Sequence, residues 1–374
     1  MAMPVILRDL LSLPTASFVE KAVLNYLRDA CRGLRGVSAR SDRYGNLLAH
    51  YRYRPRAVTP IAFSAHTDHP GFVADRMIDA KTLLAKFRGG VFAEYFPQTR
   101  VRFWSGGRWI NGRVEALTKT KEVYRLIGKM RLPEEARIRV REPVEPNAPG
   151  MWDLPDPALK GDRVHARGCD DVAGCAAMLA LLQRLSKKRA RADVYCLFTR
   201  AEEVGFVGAI AAARNGTLSK KTPIVAIETS SARAGALIGG GPVLRVGDKA
   251  STFTPQLNAY CARIARALAK RRKSFTFQRK LMDGGTCEST AFAAYGYTVT
   301  GICLALGNYH NMDIDRKRIA TEYVSLKDWK QMVDWFEALA LDEQGYGRDN
   351  DLLREEMETR FAEWRPLIEG GHCS

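Results

Sequence analysis

Apolar residues along this chain fall into two rhythms. Between residues 7 and 34, Leu10, Val19, Val23, Leu24 and Leu27 recur near helical spacing and predict one or two amphipathic helices. Residues 36–39 and 46–53 (NLLAHYRY) alternate as strands do, and 61–65 (IAFSA) is a short apolar run that ends on His66. A run of that kind reads as a buried central strand. After residue 162 the two rhythms alternate. Helix is predicted over 172–185, strand over 193–199 (DVYCLFT), helix over 205–214 and strand over 223–229 (PIVAIET). Helices over 256–270 and 286–294, a strand over 299–306 and a helix over 326–340 follow. This order predicts an α/β fold, with a mostly parallel central sheet flanked by helices. Sites in such sheets lie at the carboxyl ends of the strands.

The texture differs between residues 73 and 162. Short β-like pieces (TLLAKF, TRVRFW, INGRVEAL, ARIRVRE) are separated by glycine turns, helical periodicity is nearly absent, and 143–157 is rich in proline. The segment reads as an inserted small all-β, barrel-like domain (73–162), leaving 1–72 and 163–374 as the main domain.

Composition narrows the class. The chain has 374 residues, 46% hydrophobic and 26% charged, which excludes disordered and low-complexity classes. It holds no apolar run of about 18 residues, so no membrane partner is expected. The opening MAMPVILRDLLSLP lacks the basic and long apolar regions of a secretory signal. Fifty-eight Lys and Arg against 41 Asp and Glu give a net charge of +17. The excess sits in runs such as RLSKKRAR and RIARALAKRRK, which read as solvated basic faces. With no nucleic-acid-binding module beside them, no specific nucleic-acid partner is expected. Eight cysteines without a CxxC pair point to small packing residues in a reducing, cytoplasmic compartment.

Chemistry gathers at the strand ends. His66-Thr67-Asp68 follows IAFSA, Asp170-Asp171 opens the helix over 172–185, Glu202-Glu203 follows the strand over 193–199, Glu228 ends PIVAIE, and His310 follows GICLALGNY. Each cluster alone has an ordinary explanation: a helix cap, a solvated turn, a hydrogen-bonded histidine. Together, two histidines and three carboxylates suit zinc, cobalt or manganese. Five ligands exceed what one tetrahedral ion with an open position needs, and suit two ions sharing a carboxylate.

HTDHPGF, GCDDVAGCAAML, TRAEEVGFVGA, AIETS, GGTCESTAF and LGNYHN resemble, in order, the motifs of the M42 aminopeptidases. These belong to a clan of dinuclear zinc peptidases that includes the M20, M28 and M18 families. The resemblance implies that Asp170 bridges two divalent ions, most often zinc. His66 and Glu228 would complete one ion, Glu203 and His310 the other. Glu202 would be the general base, and Asp68 would orient His66 by accepting its other ring proton. It further implies an aminopeptidase acting on short peptides, and a homo-oligomer in which the inserted domain mediates contacts or forms a lid.

The chain departs from the family pattern at several places. His69-Pro70 follow HTD where the family has Glu, Glu228 stands where Asp is common, and Asn308-Tyr309 replaces an Arg-Tyr pair. Two other readings remain: an M20-like carboxypeptidase or N-acyl amino acid deacylase, and a catalytically dead binding protein keeping only the fold. Gly239 to Gly241 with Pro242 read as a turn, Cys169 as a packing residue, and His69 and His165 as neighbours of the site.

Overall fold

The computed structural model describes residues 2–56, 58–125, 128–347 and 349–370. Its centre is an eight-stranded sheet in the order Val37–Ser41, Leu47–Tyr53, Ala192–Thr199, Ile61–His66, Ile224–Ser231, Val299–Leu306, Val243–Asp248, Gln278–Met282. The middle is parallel: Ile61–His66 lies between Ala192–Thr199 and Ile224–Ser231, which also pairs with Val299–Leu306. Ile61–His66 and Val299–Leu306 are buried at every position, as their apolar sequences require.

The sheet is mixed, which narrows the mostly parallel expectation to its centre. Leu47–Tyr53 runs antiparallel to both neighbours, and Val243–Asp248 antiparallel to Val299–Leu306. The antiparallel arrangement on the first side follows from the short link between Val37–Ser41 and Leu47–Tyr53, which permits a hairpin and no crossover.

Helices cover both faces. On one, Val5–Ser12, Lys21–Arg32, Val172–Lys188, Pro255–Arg271 and Leu326–Leu341 contribute to the largest apolar core. The residues between the first two include Pro14, which cannot continue a helix, so the N-terminal pattern resolves into two elements. On the other face Val207–Asn215 and Glu288–Ala294 pack over Leu48, Ala62, Leu197 and Ile224.

Six strands between Gly71 and Trp152 close into a barrel, and two of them form the long hairpin Arg108–Arg125 and Gly128–Val140. Its interior is aromatic: Phe72, Phe87, Phe96 and Trp152 meet edge to face at centroid separations of 4.7–5.1 Å along Phe72–Phe87, Phe87–Phe96, Phe96–Trp152 and Phe72–Trp152. Gly150 is required there, since a Cβ would fall 2.3 Å from Phe103 Cε1. The chain rejoins the main body where Arg163–Ala166 pairs with Glu322–Ser325. Seven cysteines are free and buried; Cys373 lies outside the described residues. Among the described residues no helix is long and apolar enough to cross a membrane.

Candidate metal centre

The residues singled out at strand ends come from five separate segments and meet in one buried place. His66 is the last residue of Ile61–His66. Asp170 lies just ahead of the helix Val172–Lys188, and Asp171 is that helix's N-cap. Glu202 and Glu203 occupy the turn after Ala192–Thr199, where the Glu202 carbonyl accepts the backbone N–H of Gly205 and Phe206, both at 2.8 Å. Glu228 lies within Ile224–Ser231, and His310 in the short turn Tyr309–Asn311, where its own backbone is left-handed. All are less than a tenth exposed.

Asp170 stands between two halves of the cluster. Its Oδ1 is 3.3 Å from His66 Nε2, which is also 3.5 Å from Glu228 Oε1 and 4.0 Å from Glu202 Oε2. Its Oδ2 is 3.7 Å from His310 Nε2, which in turn lies 3.1 Å from Glu203 Oε2. Ligand-type atoms of His66, Glu202 and Glu228, of His66, Asp170 and Glu203, and of Asp170, Asp171 and Glu228 each gather within 4.8 Å.

Further contacts hold these side chains. His310 Nδ1 is 2.7 Å from the carbonyl of Gly90, which follows the barrel strand Thr82–Arg88. Such a bond leaves Nε2 free as a ligand atom. His66 Nδ1 lies 3.2 Å from the Asp68 carbonyl and 3.5 Å from its carboxylate. The Asp68 carboxylate mainly serves other donors: Ser17 Oγ at 2.7 Å, Glu202 N at 2.9 Å and Glu203 N at 3.2 Å. It therefore sets the turn bearing the two glutamates as well as facing His66.

Burial and mutual repulsion dominate the electrostatics. Burial pushes Glu202 and Asp171 well above the ordinary carboxylate range, with Glu228 adding repulsion in both cases. Burial lifts Glu228 to about 7. It opposes charge on the imidazoles too, yet Glu202, Asp170, Asp68 and Glu228 hold His66 well above its ordinary value. Glu203 and Asp170 likewise hold His310 at about 9. Asp170, Glu202 and Glu228 have only histidines as ion-pair partners among the described residues. Both Asp171 oxygens are buried without a hydrogen-bond partner. Excess buried negative charge, with imidazole nitrogens aimed at the same space, is the donor set that divalent cations offset.

Sequence reasoning did not single out Glu322 or Asn311, and it marked Glu288 only as part of the segment Gly285-Thr286-Cys287-Glu288, which departs from the family's GTDA-type pattern, without a role. Glu322 accepts the backbone N–H of Asp170 and His310; Glu288 accepts the hydroxyl of Ser64 and pairs with Thr199; Asn311 lies 3.0 Å from His69 Nε2. Glu322 starts a short strand, EYVS, and nothing local marks it as inward-facing. His69, noted only as a neighbour, bonds through Nδ1 to the Asp170 carbonyl at 2.7 Å, and burial pushes its ring down to about 4.

The model of the M42 glutamyl aminopeptidase family matches residues 45–317. A putative aminopeptidase of Acetivibrio thermocellus is 26% identical over 256 residues, covering 65% of this chain and 72% of that protein. Among solved structures, the TET1 peptidase of Pyrococcus horikoshii, described as assembling into a tetrahedron or a large octahedral shell, is 20% identical with a TM-score of 0.71. That match covers 90% of this chain and 98% of the other. An aminopeptidase from the archaeon Desulfurococcus kamchatkensis is 20% identical, covering 90% and 94%, also at a TM-score of 0.71. These two likenesses bear on the fold.

Proposed function

This chain belongs to the M42 glutamyl aminopeptidase family, and from that premise we propose that it releases N-terminal residues from short peptides using two divalent ions, zinc first among them and cobalt or manganese next. The observation that carries this reading is the placement of Asp170, with one carboxylate oxygen toward His66 and the other toward His310. On it, His66 and Glu228 would hold one ion, Glu203 and His310 would hold the other, and Asp170 would serve both. When bound, the pair would polarise the scissile carbonyl and lower the pKa of the attacking water toward neutrality.

Glu202 supplies the proton relay. It is buried beside His66, with Oε2 4.0 Å from His66 Nε2, and a carboxylate held there is the type of group that takes and returns a proton. Glu202 accepts a proton from the water and passes it to the peptide nitrogen as the C–N bond breaks; the remaining hydroxyl becomes part of the new carboxyl group. Asp68 keeps Glu202 and Glu203 in their divided roles through their backbone N–H groups. The inserted domain, residues 73–162, serves in oligomer contacts or as a lid, in keeping with the assembly described for the Pyrococcus peptidase. The free cysteines fit a reducing, cytoplasmic setting.

The test is product analysis by mass spectrometry with zinc- or cobalt-loaded protein and one short peptide in free, N-blocked and C-blocked forms. Stepwise loss from the N-terminus, abolished only by the N-block, is the expected result. Cleavage of the N-blocked peptide would replace this reading with a carboxypeptidase or deacylase.

A further inference from the structure

Glu322 is a fully buried carboxylate that belongs to none of the ligand groupings at the centre. Its Oε2 accepts two backbone N–H groups, from Cys169 at 2.7 Å and from Asp170 at 3.1 Å. Its Oε1 accepts the backbone N–H of His310 at 2.8 Å. One side chain thus grips the main chain of the carboxylate that stands between the two halves and of a histidine from one half.

Local backbone conformation explains why such a grip is needed. His310 has φ +54°, and its neighbours Asn308 and Asn311 have φ +54° and +64°. Residues in this left-handed region cost energy and persist only where surrounding structure holds them. The Asp170 amide likewise lies outside the named strands and ahead of the helix that follows. A second set of bonds runs in parallel. His69 Nδ1 meets the Asp170 carbonyl at 2.7 Å and its Nε2 meets Asn311 Oδ1 at 3.0 Å. The Asn311 amide nitrogen donates to the carbonyls of Arg167 and Ala320 at 2.6 and 3.1 Å. Glu322 has no lysine or arginine ion-pair partner among the described residues, its sole ion-pair contact being His69 Nε2 at 4.0 Å. Burying a carboxylate without a cationic partner is costly, and three bonds from backbone N–H groups to an anion offset that cost.

We propose that Glu322 is a positioning residue that fixes His310 relative to Asp170, and so sets the second metal subsite (Asp170, Glu203, His310) without touching the ion. The inference rests on the dinuclear reading above. The subsite made by His66, Glu228 and Asp170 draws on two strands of the central sheet and needs Glu322 much less.

The experiment titrates metal-free wild type and Glu322→Gln with cobalt or zinc, counting ions by calorimetry and elemental analysis, with circular dichroism to establish folding. The expected result is two ions in wild type. In Glu322→Gln the first ion should bind near wild-type affinity and the second about 10–100-fold more weakly. Excess metal should then restore hydrolysis. Two ions held by Glu322→Gln at wild-type affinity, or parallel weakening of both, would overturn the proposal with the dinuclear reading intact. Fewer than two ions in wild type would overturn the dinuclear reading and this inference with it. Should Glu322→Gln fail to fold, Glu322→Asp keeps a charged acceptor withdrawn by one methylene. The same selective weakening of the second ion is expected there, and equal affinities for both ions would overturn the assignment.

Discussion

Asp68 Oδ1 lies 2.9 Å from the backbone nitrogen of Glu202, and its other oxygen lies 3.2 Å from that of Glu203. The carboxylate that faces His66 therefore also dictates where two consecutive glutamates begin. Adjacent residues can point one carboxylate at an ion and the other at water only if their turn is held, and Asp68 holds it from outside that turn. Ser17 donates a third bond at 2.7 Å, fastening the N-terminal region to the same carboxylate.

Asp68→Ala strands these three donors in a buried place, and each unsatisfied group costs about 1–3 kcal/mol. The expected outcome is a melting temperature lowered by several degrees together with a large fall in kcat, read by calorimetry and peptide hydrolysis. Wild-type stability in Asp68→Ala would show that the three contacts carry little.

Glu202→Gln tests the proton relay separately. The amide keeps the size of the side chain and cannot accept the proton, so kcat should fall by roughly 10²–10⁴. Metal content and melting temperature should stay close to wild type, because the proposed ligand set does not include Glu202. Unchanged hydrolysis would remove Glu202 from its assigned role.

The legible part of this molecule is the part written in short, fully buried strands. IAFSA and the strand ending in GICLAL have no polar face to confuse their period, so the polar residues beyond their ends stand out: His66 and His310. Glu228 stands out at the end of PIVAIE, Glu203 in the turn after DVYCLFT, and Asp170 at the opening of an apolar helix, and the structure brings all five together with Glu202. Less visible was anything that depends on pairing over long distances. The antiparallel edges of the sheet, the Gly90 carbonyl that orients His310, and Glu322 beneath Asp170 are all set by neighbours far away in sequence. A glutamate in EYVS or a glycine in a turn carries no local mark of what it will touch.

Metal-free protein should lose stability as pH rises from about neutral. Glu228 and Glu288, both lifted by burial, titrate at about 7 in the folded chain against 4.5 for exposed glutamates. Each is penalised progressively as pH climbs through that interval. His310, at about 9 against 6.5, stabilises fully below 6.5, and that contribution disappears as pH climbs to 9. His69, pushed down to about 4, works in the opposite sense, but only below 6.5. Between 6.5 and about 9 these groups leave more protons on the folded state than on the unfolded one, so their contribution to stability falls with pH. Melting curves with chelator between pH 6.5 and 9 should show this decline, and zinc should flatten it by holding the ligands in their metal-binding forms. A metal-free melting temperature that stays level or rises over this interval would contradict the argument.

Two glycines of the barrel region should respond differently to the same substitution. Neither has a positive φ, so space alone decides. At Gly150 a Cβ would sit 2.3 Å from Phe103 Cε1 and 2.6 Å from its Cδ1, inside the aromatic interior, where Phe103 also neighbours Phe72. That ring cannot retreat without displacing others, and overpacking of this kind costs about 1–3 kcal/mol or more. Gly150→Ala should therefore lower the melting temperature measurably. At Gly90 the nearest atom to a Cβ is His310 Nδ1 at 3.5 Å, an ordinary contact, and the bond to His310 comes from the Gly90 carbonyl, which alanine retains. Gly90→Ala should keep the wild-type melting temperature, metal content and hydrolysis. Loss of activity in Gly90→Ala with the fold intact would mean that the space beside His310, and not the carbonyl alone, is needed for substrate to enter.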